Sequence, residues 1–124
     1  MAITLTLFAA GLNQVMDGGL PNTVYLSAHS ADPGTTGANE LTGGRYTRAT
    51  AVMGAAVAGA RSSSGTPYIP ANPGDSATHV CMWDAPSGGN CLAGDQINGD
   101  GSAETSGQDF RFNVPVTVIV ANPA

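Results

Sequence analysis

The sequence predicts an all-β domain, an antiparallel β-sandwich or jelly-roll-like barrel with one short N-terminal helix. Three observations predict it. Short stretches alternate apolar and polar residues at period two, most clearly at 23–29 and in Val114, Val116, Val118 and Val120. Gly and Pro number 17 and 8, about 20% of the chain against roughly 12% in average chains, and they fall mostly between those stretches. Only one segment carries a helical period. At 124 residues and 12.4 kDa the chain reads as a single domain over 1–124, long enough for one core and too short for two.

At the N-terminus Leu5, Phe8, Leu12 and Val15/Met16 recur at spacings of three and four, which predicts a short helix. Thr4 or Thr6 would cap it and Asp17-Gly18-Gly19 would end it, while a strand remains open for 3–7, where Thr alternates with apolar residues. From Thr23 to His29 a half-buried strand turns Val24, Leu26 and Ala28 one way and Tyr25, Ser27 and His29 the other. Residues 30–44 hold Asp32, Asn39, Glu40 and five Gly or Pro, a long loop of the kind that often carries function. A second strand is expected at 45–50 with Tyr46 and Arg48 on one face; 51–60 is small, apolar and without a decisive period.

The Ser-rich 61–65 reads as a turn, 66–70 as a short edge piece bounded by prolines, and 72–75 as another turn. Residues 77–84 and 90–97 flank Ala85-Pro86-Ser87-Gly88-Gly89 as a hairpin, with Val80, Met82 and Leu92 on its core face. The stretch 98–109 has no large apolar residue and reads as surface loop. The Val114–Val120 alternation predicts a final strand.

Charge narrows the partners. Nine acidic residues, four Arg and no Lys give a net charge of −5, a poor match to a nucleic-acid backbone. Hydrophobic content of 42% excludes a chain disordered for want of apolar residues. There is no apolar run long enough for a membrane helix, and the apolar 1–12 segment lacks the basic residue of a signal peptide.

Few residues form a chemical constellation. His79, Cys81 and Cys91 share a hairpin, but zinc prefers four ligands in paired short spacings and His29 is fifty residues away. The cysteines therefore read as free thiols or a cross-strand disulfide. Asp95, Asn98, Asp100, Glu104 and Asp109 concentrate oxygen ligands, yet a helix-loop-helix calcium register fails at Ile97 from Asp95 and at Ala103 from Asn98. A solvated acidic loop is the plainer reading. Ser27, Ser30, His29 and Asp32 have hydrolytic-triad residue types, but adjacent strand positions face opposite ways and no Gly-x-Ser-x-Gly elbow is present. Gly34-Thr35-Thr36-Gly37 cannot be a phosphate loop without a Lys. Arg48 is expected to anchor the 30–44 loop through Asp32 or Glu40, because a guanidinium fixes a carboxylate in two bonds. Trp83 reads as core filler or as the anchor of a subunit contact.

Two separated blocks carry a family resemblance. The first is Tyr25-Leu26-Ser27-Ala28-His29-Ser30-Ala31-Asp32-Pro33-Gly34, running on to Gly43-Gly44-Arg45-Tyr46-Thr47-Arg48. The second is Thr78-His79-Val80 with Trp83-Asp84-Ala85-Pro86-Ser87-Gly88-Gly89-Asn90-Cys91-Leu92. Together, over about residues 5 to 120, they resemble small virion proteins of tailed bacteriophages, labelled tail-fibre-like, minor tail or head-decoration proteins. Ser30 stands where Thr is usual, and 94–110 is longer and more acidic than the pattern. The resemblance implies a non-enzymatic structural protein of the virion, assembled in the host cytoplasm, without catalytic residues, metal or other cofactor. It implies homotrimers decorating the outer head surface on the major capsid protein; a minor tail or fibre protein meeting tail proteins, or a host-receptor or carbohydrate-binding module, is the alternative. His29, Asp32, Glu40, Tyr46, Arg48 and Trp83 are the residues expected to anchor loops or touch partners. Neither nucleic acid nor membrane is expected as a partner.

Overall fold

A computed structural model describes residues 3–16, 19–56, 60–98 and 102–119. It is all-β with one short helix. In chain order the elements are β1 (Thr4–Leu7), α1 (Ala9–Met16), β2 (Thr23–His29), β3 (Ala49–Val52), β4 (Ala60–Ser62) and β5 (Tyr68–Pro70). They are followed by β6 (Ser76–Ala77), β7 (His79–Trp83), β8 (Cys91–Gln96), β9 (Glu104–Thr105), β10 (Asp109–Arg111) and β11 (Thr117–Ile119).

Seven strands form one sheet in the order β3-β2-β7-β8-β1-β11-β4. The sheet curls until its edges meet. Met53, just beyond β3, bridges Ser63, just beyond β4, and the flanking bonds Gly54 N–H to Ser62 O and Ser64 N–H to Val52 O are both 2.8 Å. Short ribbons β5–β10 and β6–β9 add to it. Inside lie Leu5, Leu7, Val24, Leu26, Val80, Met82, Leu92, Val116 and Val118, closed over by Ile69, Phe110 and Phe112. The predicted inward residues of β2, and Val80, Met82 and Leu92 of the hairpin, are among the buried ones.

Several boundaries differ from the sequence reading. Residues 4–7 take the strand option: Leu5 and Leu7 point into the core while β8 and β11 flank them, so β1 gains ladders on both sides that a helix here would forgo. The helix starts after Phe8, and neither Thr4 nor Thr6 caps it; its expected end at Asp17-Gly18 lies outside the described residues. β1 pairs with β11 in parallel, so the sheet is mixed rather than antiparallel, because the first and last strands enter it side by side in the same direction. The strand expected at 45–50 begins only at Ala49 and runs to Val52. Upstream of it the left-handed Gly43 and Gly44 (φ 86° and 59°) and a clamp by Asn72, which bonds Gly43 O and Arg45 N–H at 2.9 Å each, hold the chain off the ladder. The Ser-rich 61–65 is partly strand: β4 pairs with β11, and its Arg61 reaches back to Gly54 O, Leu20 O and Asn22 Oδ1. The 98–109 stretch also carries β9 and the start of β10. The last strand is confined to 117–119 where described; Val114 is exposed, and Val120 lies outside the described residues.

β2, β7 and β8 are buried on both faces. Helix α1 packs Ala10, Leu12 and Val15 against the main core, and Phe8, just ahead of it, covers part of the outer face, held by its N–H to Leu92 O at 2.8 Å. Gly11 lies so close that a Cβ there would fall on the Leu92 carbonyl and on Leu7 Cδ2. At Gly94 a Cβ would come within 2.9 Å of Phe8 Cζ and 3.0 Å of Cys81 Sγ. Gly11→Ala is therefore expected to lower stability by about 1–3 kcal/mol through overpacking, read as a lower urea midpoint with an unchanged slope. An unchanged midpoint would show that helix and strand do not pack this closely.

Candidate functional site

The rest of the outer face of β2 and β7 is covered by the 30–44 loop, and a connected polar cluster lies beneath it. The loop is internally braced. Asp32 Oδ1 accepts from Gly34 N–H at 2.8 Å, Asn39 Nδ2 donates to Asp32 O at 2.9 Å, and Ser30 N–H donates to Asn39 O at 3.1 Å. Gly34, Gly37 and Asn39 have φ of 61°, 81° and 65°, the left-handed region that Gly and Asn tolerate best. Gly37 has a second reason to be Gly, because a Cβ there would collide with the Trp83 ring.

Arg48 joins the loop to the β7–β8 hairpin. Its Nε and Nη2 each donate to one Glu40 oxygen at 2.9 Å, and its Nη1 donates to Ala85 O and Gly88 O at 2.9 Å each. The guanidinium carbon stacks 3.8 Å from the centroid of the Trp83 ring. Only 7% of the Arg48 side chain and 20% of that of Glu40 are exposed. Burial pushes the Glu40 carboxyl up, but hydrogen bonds from Arg48 and from Tyr46 hold it below its usual range. The Tyr46 hydroxyl donates to Glu40 Oε2 at 2.7 Å and accepts from Ala28 N–H at 3.1 Å. Burial and that donation push its pKa upward.

A second chain of bonds starts on the same Trp83. Its Nε1–H donates to Ser27 Oγ at 2.7 Å; Ser27 Oγ lies 2.6 Å from His29 Nε2, and His29 Nδ1 lies 2.7 Å from Ala38 O. The donors settle the tautomer. Ala38 O can only accept, so Nδ1 carries the hydrogen, Nε2 accepts, and the Ser27 hydroxyl donates to it. Ser27 and His29 are both 0% exposed. Burial holds the His29 imidazole below its ordinary pKa.

The six residues singled out from the sequence thus have distinct places. Glu40, Tyr46 and Arg48 meet at one carboxylate, and His29 reaches Arg48 through Ser27 and Trp83. Asp32 stays exposed at the loop's outer turn and does not bond Arg48. Tyr46 and Arg48 do come together, though from irregular backbone rather than a strand face. Trp83 is 6% exposed within this chain. Tyr25 packs half-buried against it and Tyr46 lies half-buried against the main core, so the three do not form one exposed stacking platform for a sugar.

Ser27 and His29 are a Ser–His pair at hydrogen-bond distance, with a backbone carbonyl in place of a carboxylate. The serine oxygen already accepts from Trp83, and neither side chain reaches solvent. Sequence reasoning placed both on one strand face; it missed Gly37, and the Ala85 and Gly88 carbonyls leave no side-chain signal. Cys81 and Cys91 are free, buried thiols. A hydrogen bond with Cys91 and burial push the Cys81 thiol up. Among the described residues no three His, Cys, Asp or Glu gather closely enough to hold a metal. Asp95 instead accepts from Thr6 Oγ1 and from Gln96 N–H, and Asp109 pairs with Arg111 at 3.0 Å. Asp100 lies outside the described residues.

Residues 5–117 match the family model described as Podophage GP4 fiber I protein gp80. The chain belongs to that family. The match takes in the curled sheet except Thr4 of β1 and the last two residues of β11, together with the 30–44 loop and the hairpin that Arg48 ties to it. As a member of a phage fibre family the protein is a structural component of a virion. A comparison with curated proteins finds no match.

Removing one partner of a buried ion pair leaves the other charge uncompensated, so Arg48→Ala is expected to cost on the order of 3 kcal/mol. The 30–44 loop should become the first site cut in limited proteolysis, with the sheet still folded. Arg48→Lys should lie in between, because an ammonium cannot reproduce the planar fork. Undiminished protease resistance of the loop in Arg48→Ala would show that Arg48 is not its anchor.

Proposed function

We propose that this protein is a non-enzymatic fibre subunit of a podophage virion, and that it works by assembly rather than by chemistry. The family match over residues 5–117 carries this reading. The cluster under the loop supports it: no buried side-chain nitrogen or oxygen among the described residues lacks a hydrogen-bond partner. Polar groups committed to one another hold a shape, and none is left to act on a substrate.

The loop and hairpin locked together by Arg48 form a rigid end through which the subunit meets its neighbours in the particle. Partners in this reading are further copies of the chain, assembling as homotrimers, together with tail proteins. Met16, Val52, Tyr68, Val114 and Ile119 are large apolar side chains left exposed in the isolated chain, and contacts between copies would give them cover. A place on the head surface as a decoration protein ranks behind the fibre, because the matched family is described by a fibre protein. A charged content of only 10% suits either lattice, in which many weak contacts add.

Copy number separates the two locations. Quantitative mass spectrometry of purified particles is expected to find a fibre-like copy number far below that of the major capsid protein, and antibody labelling should mark fibres. Hundreds of copies per particle and labelling of isolated heads would overturn the fibre assignment in favour of decoration.

A further inference from the structure

His29 sits where one added proton has nowhere to go. Its Nδ1–H is committed to Ala38 O in the loop, and its Nε2 accepts from Ser27, whose oxygen already accepts from Trp83. A proton from solvent on Nε2 reverses the Ser27–His29 bond: the Ser27 oxygen must then accept from both His29 and Trp83, and its own hydroxyl hydrogen is left without an acceptor. Both side chains are fully buried, so water cannot fill the gap.

The surrounding charges do not absorb it either. From the loop, Glu40 faces His29 and favours a cation, but two bonds from Arg48 and one from Tyr46 already engage that carboxylate. Arg48, arriving ahead of β3, and His79, the directly paired residue on β7, both disfavour one. The thiols Cys81 of β7 and Cys91 of β8 complete the buried cluster around Trp83. Arg48 and Glu40 cancel, so a charged His29 is an uncompensated buried cation.

We propose that His29 is a pH latch on the 30–44 loop: protonation at Nε2 breaks the Trp83–Ser27–His29–Ala38 chain and releases the loop, while the curled sheet stays folded. The inference is independent of the fibre reading. The loop is the part free to yield: it rests on the end of β2 through His29, its bridge to Glu40 and the Leu41 N–H to Ala28 O bond, whereas β2 itself stays laddered to β7 along Tyr25–His29 and to β3 along Thr23–Leu26.

The direction in pH follows from the burial. The imidazole is held below its ordinary pKa in the folded chain, so the unfolded or loop-open chain binds the proton more readily. Loop stability is therefore full above the ordinary imidazole value, about 6.5, and is lost as pH falls from there through the folded pKa.

Two readouts test it. The chain has one Trp and two His, so Trp83 fluorescence reports the titration. A reversible transition with a midpoint below about 6.5 is expected in the wild type and in His79→Gln, and is expected to vanish in His29→Asn. Asn can keep the bond to Ala38 but cannot titrate. Independently of either variant, hydrogen exchange of the wild type, corrected for intrinsic rates, should show loop protection at Ser30 and Leu41 falling about tenfold or more between about pH 7.5 and pH 5. Protection at Val80 and Met82 should hold. Loop protection that does not change, loop and sheet amides that change together, or a transition that disappears with His79 instead of His29 would each overturn the proposal.

Discussion

An arginine whose side chain is only 7% exposed must have its charge met inside the protein, and the arrangement around Arg48 follows from that constraint. Glu40 meets the charge, two backbone carbonyls of the hairpin take the remaining directed donors, and the Trp83 face takes the plane. None of these partners is near Arg48 in sequence except Glu40. The residue thereby fixes three separate segments, the 30–44 loop, the approach to β3 and the β7–β8 turn, in one geometry. A Lys in its place would supply the charge without the planes and angles.

The same constraint accounts for a feature unusual in a curled sheet of this size, strands buried on both faces. The inner face packs as an aliphatic core. The outer face of β2, β7 and β8 is mixed, with Cys81, Cys91, Phe8 and Tyr25 beside Ser27, His29 and Trp83. Polar groups there are tolerable only because each has a partner: Trp83, Ser27 and His29 bond one another, and the loop carbonyl of Ala38 closes the chain. Gly37 lets the loop backbone settle onto the indole, while Gly88 and Gly89, with φ of 62° and 77°, bend the hairpin so that its carbonyls face Arg48. At Gly89 a Cβ would come within 2.5 Å of Asp84 Oδ1, the oxygen that accepts from Asn90 N–H and braces the turn.

How much of this is legible in the sequence depends on whether the signal is local. Period-two alternation reveals β2 and the β7–β8 hairpin because one face of each meets an aliphatic core. It fails at 3–7, where Leu5 and Phe8 also fit a helical spacing and only the flanking strands β8 and β11 decide. It fails at 61–65, where three serines look like a turn yet Ser63 Oγ bonds Gly65 O and takes the Val116 N–H, extending the β4–β11 pairing. The pairing of Arg48 with an acidic residue of the loop is legible from the scarcity of charge; the choice of Glu40 over Asp32 is not, since Asp32 is drawn off to cap its own turn. Ser27 and His29 are readable as neighbours on one face. Their burial is not, because the loop that covers them has no periodic pattern. The family resemblance reaches further than local patterns do, since its two blocks are the two segments that Arg48 brings together.

The claim on which this account rests is that Arg48 and Glu40 act as a coupled unit rather than as two independent stabilising residues. A double-mutant cycle with Arg48→Ala, Glu40→Ala and the double variant, followed by urea unfolding, measures that coupling directly. The account predicts a coupling energy of at least about 1 kcal/mol, the double variant losing far less than the two single losses together. Losses that add to within about 0.5 kcal/mol would contradict it.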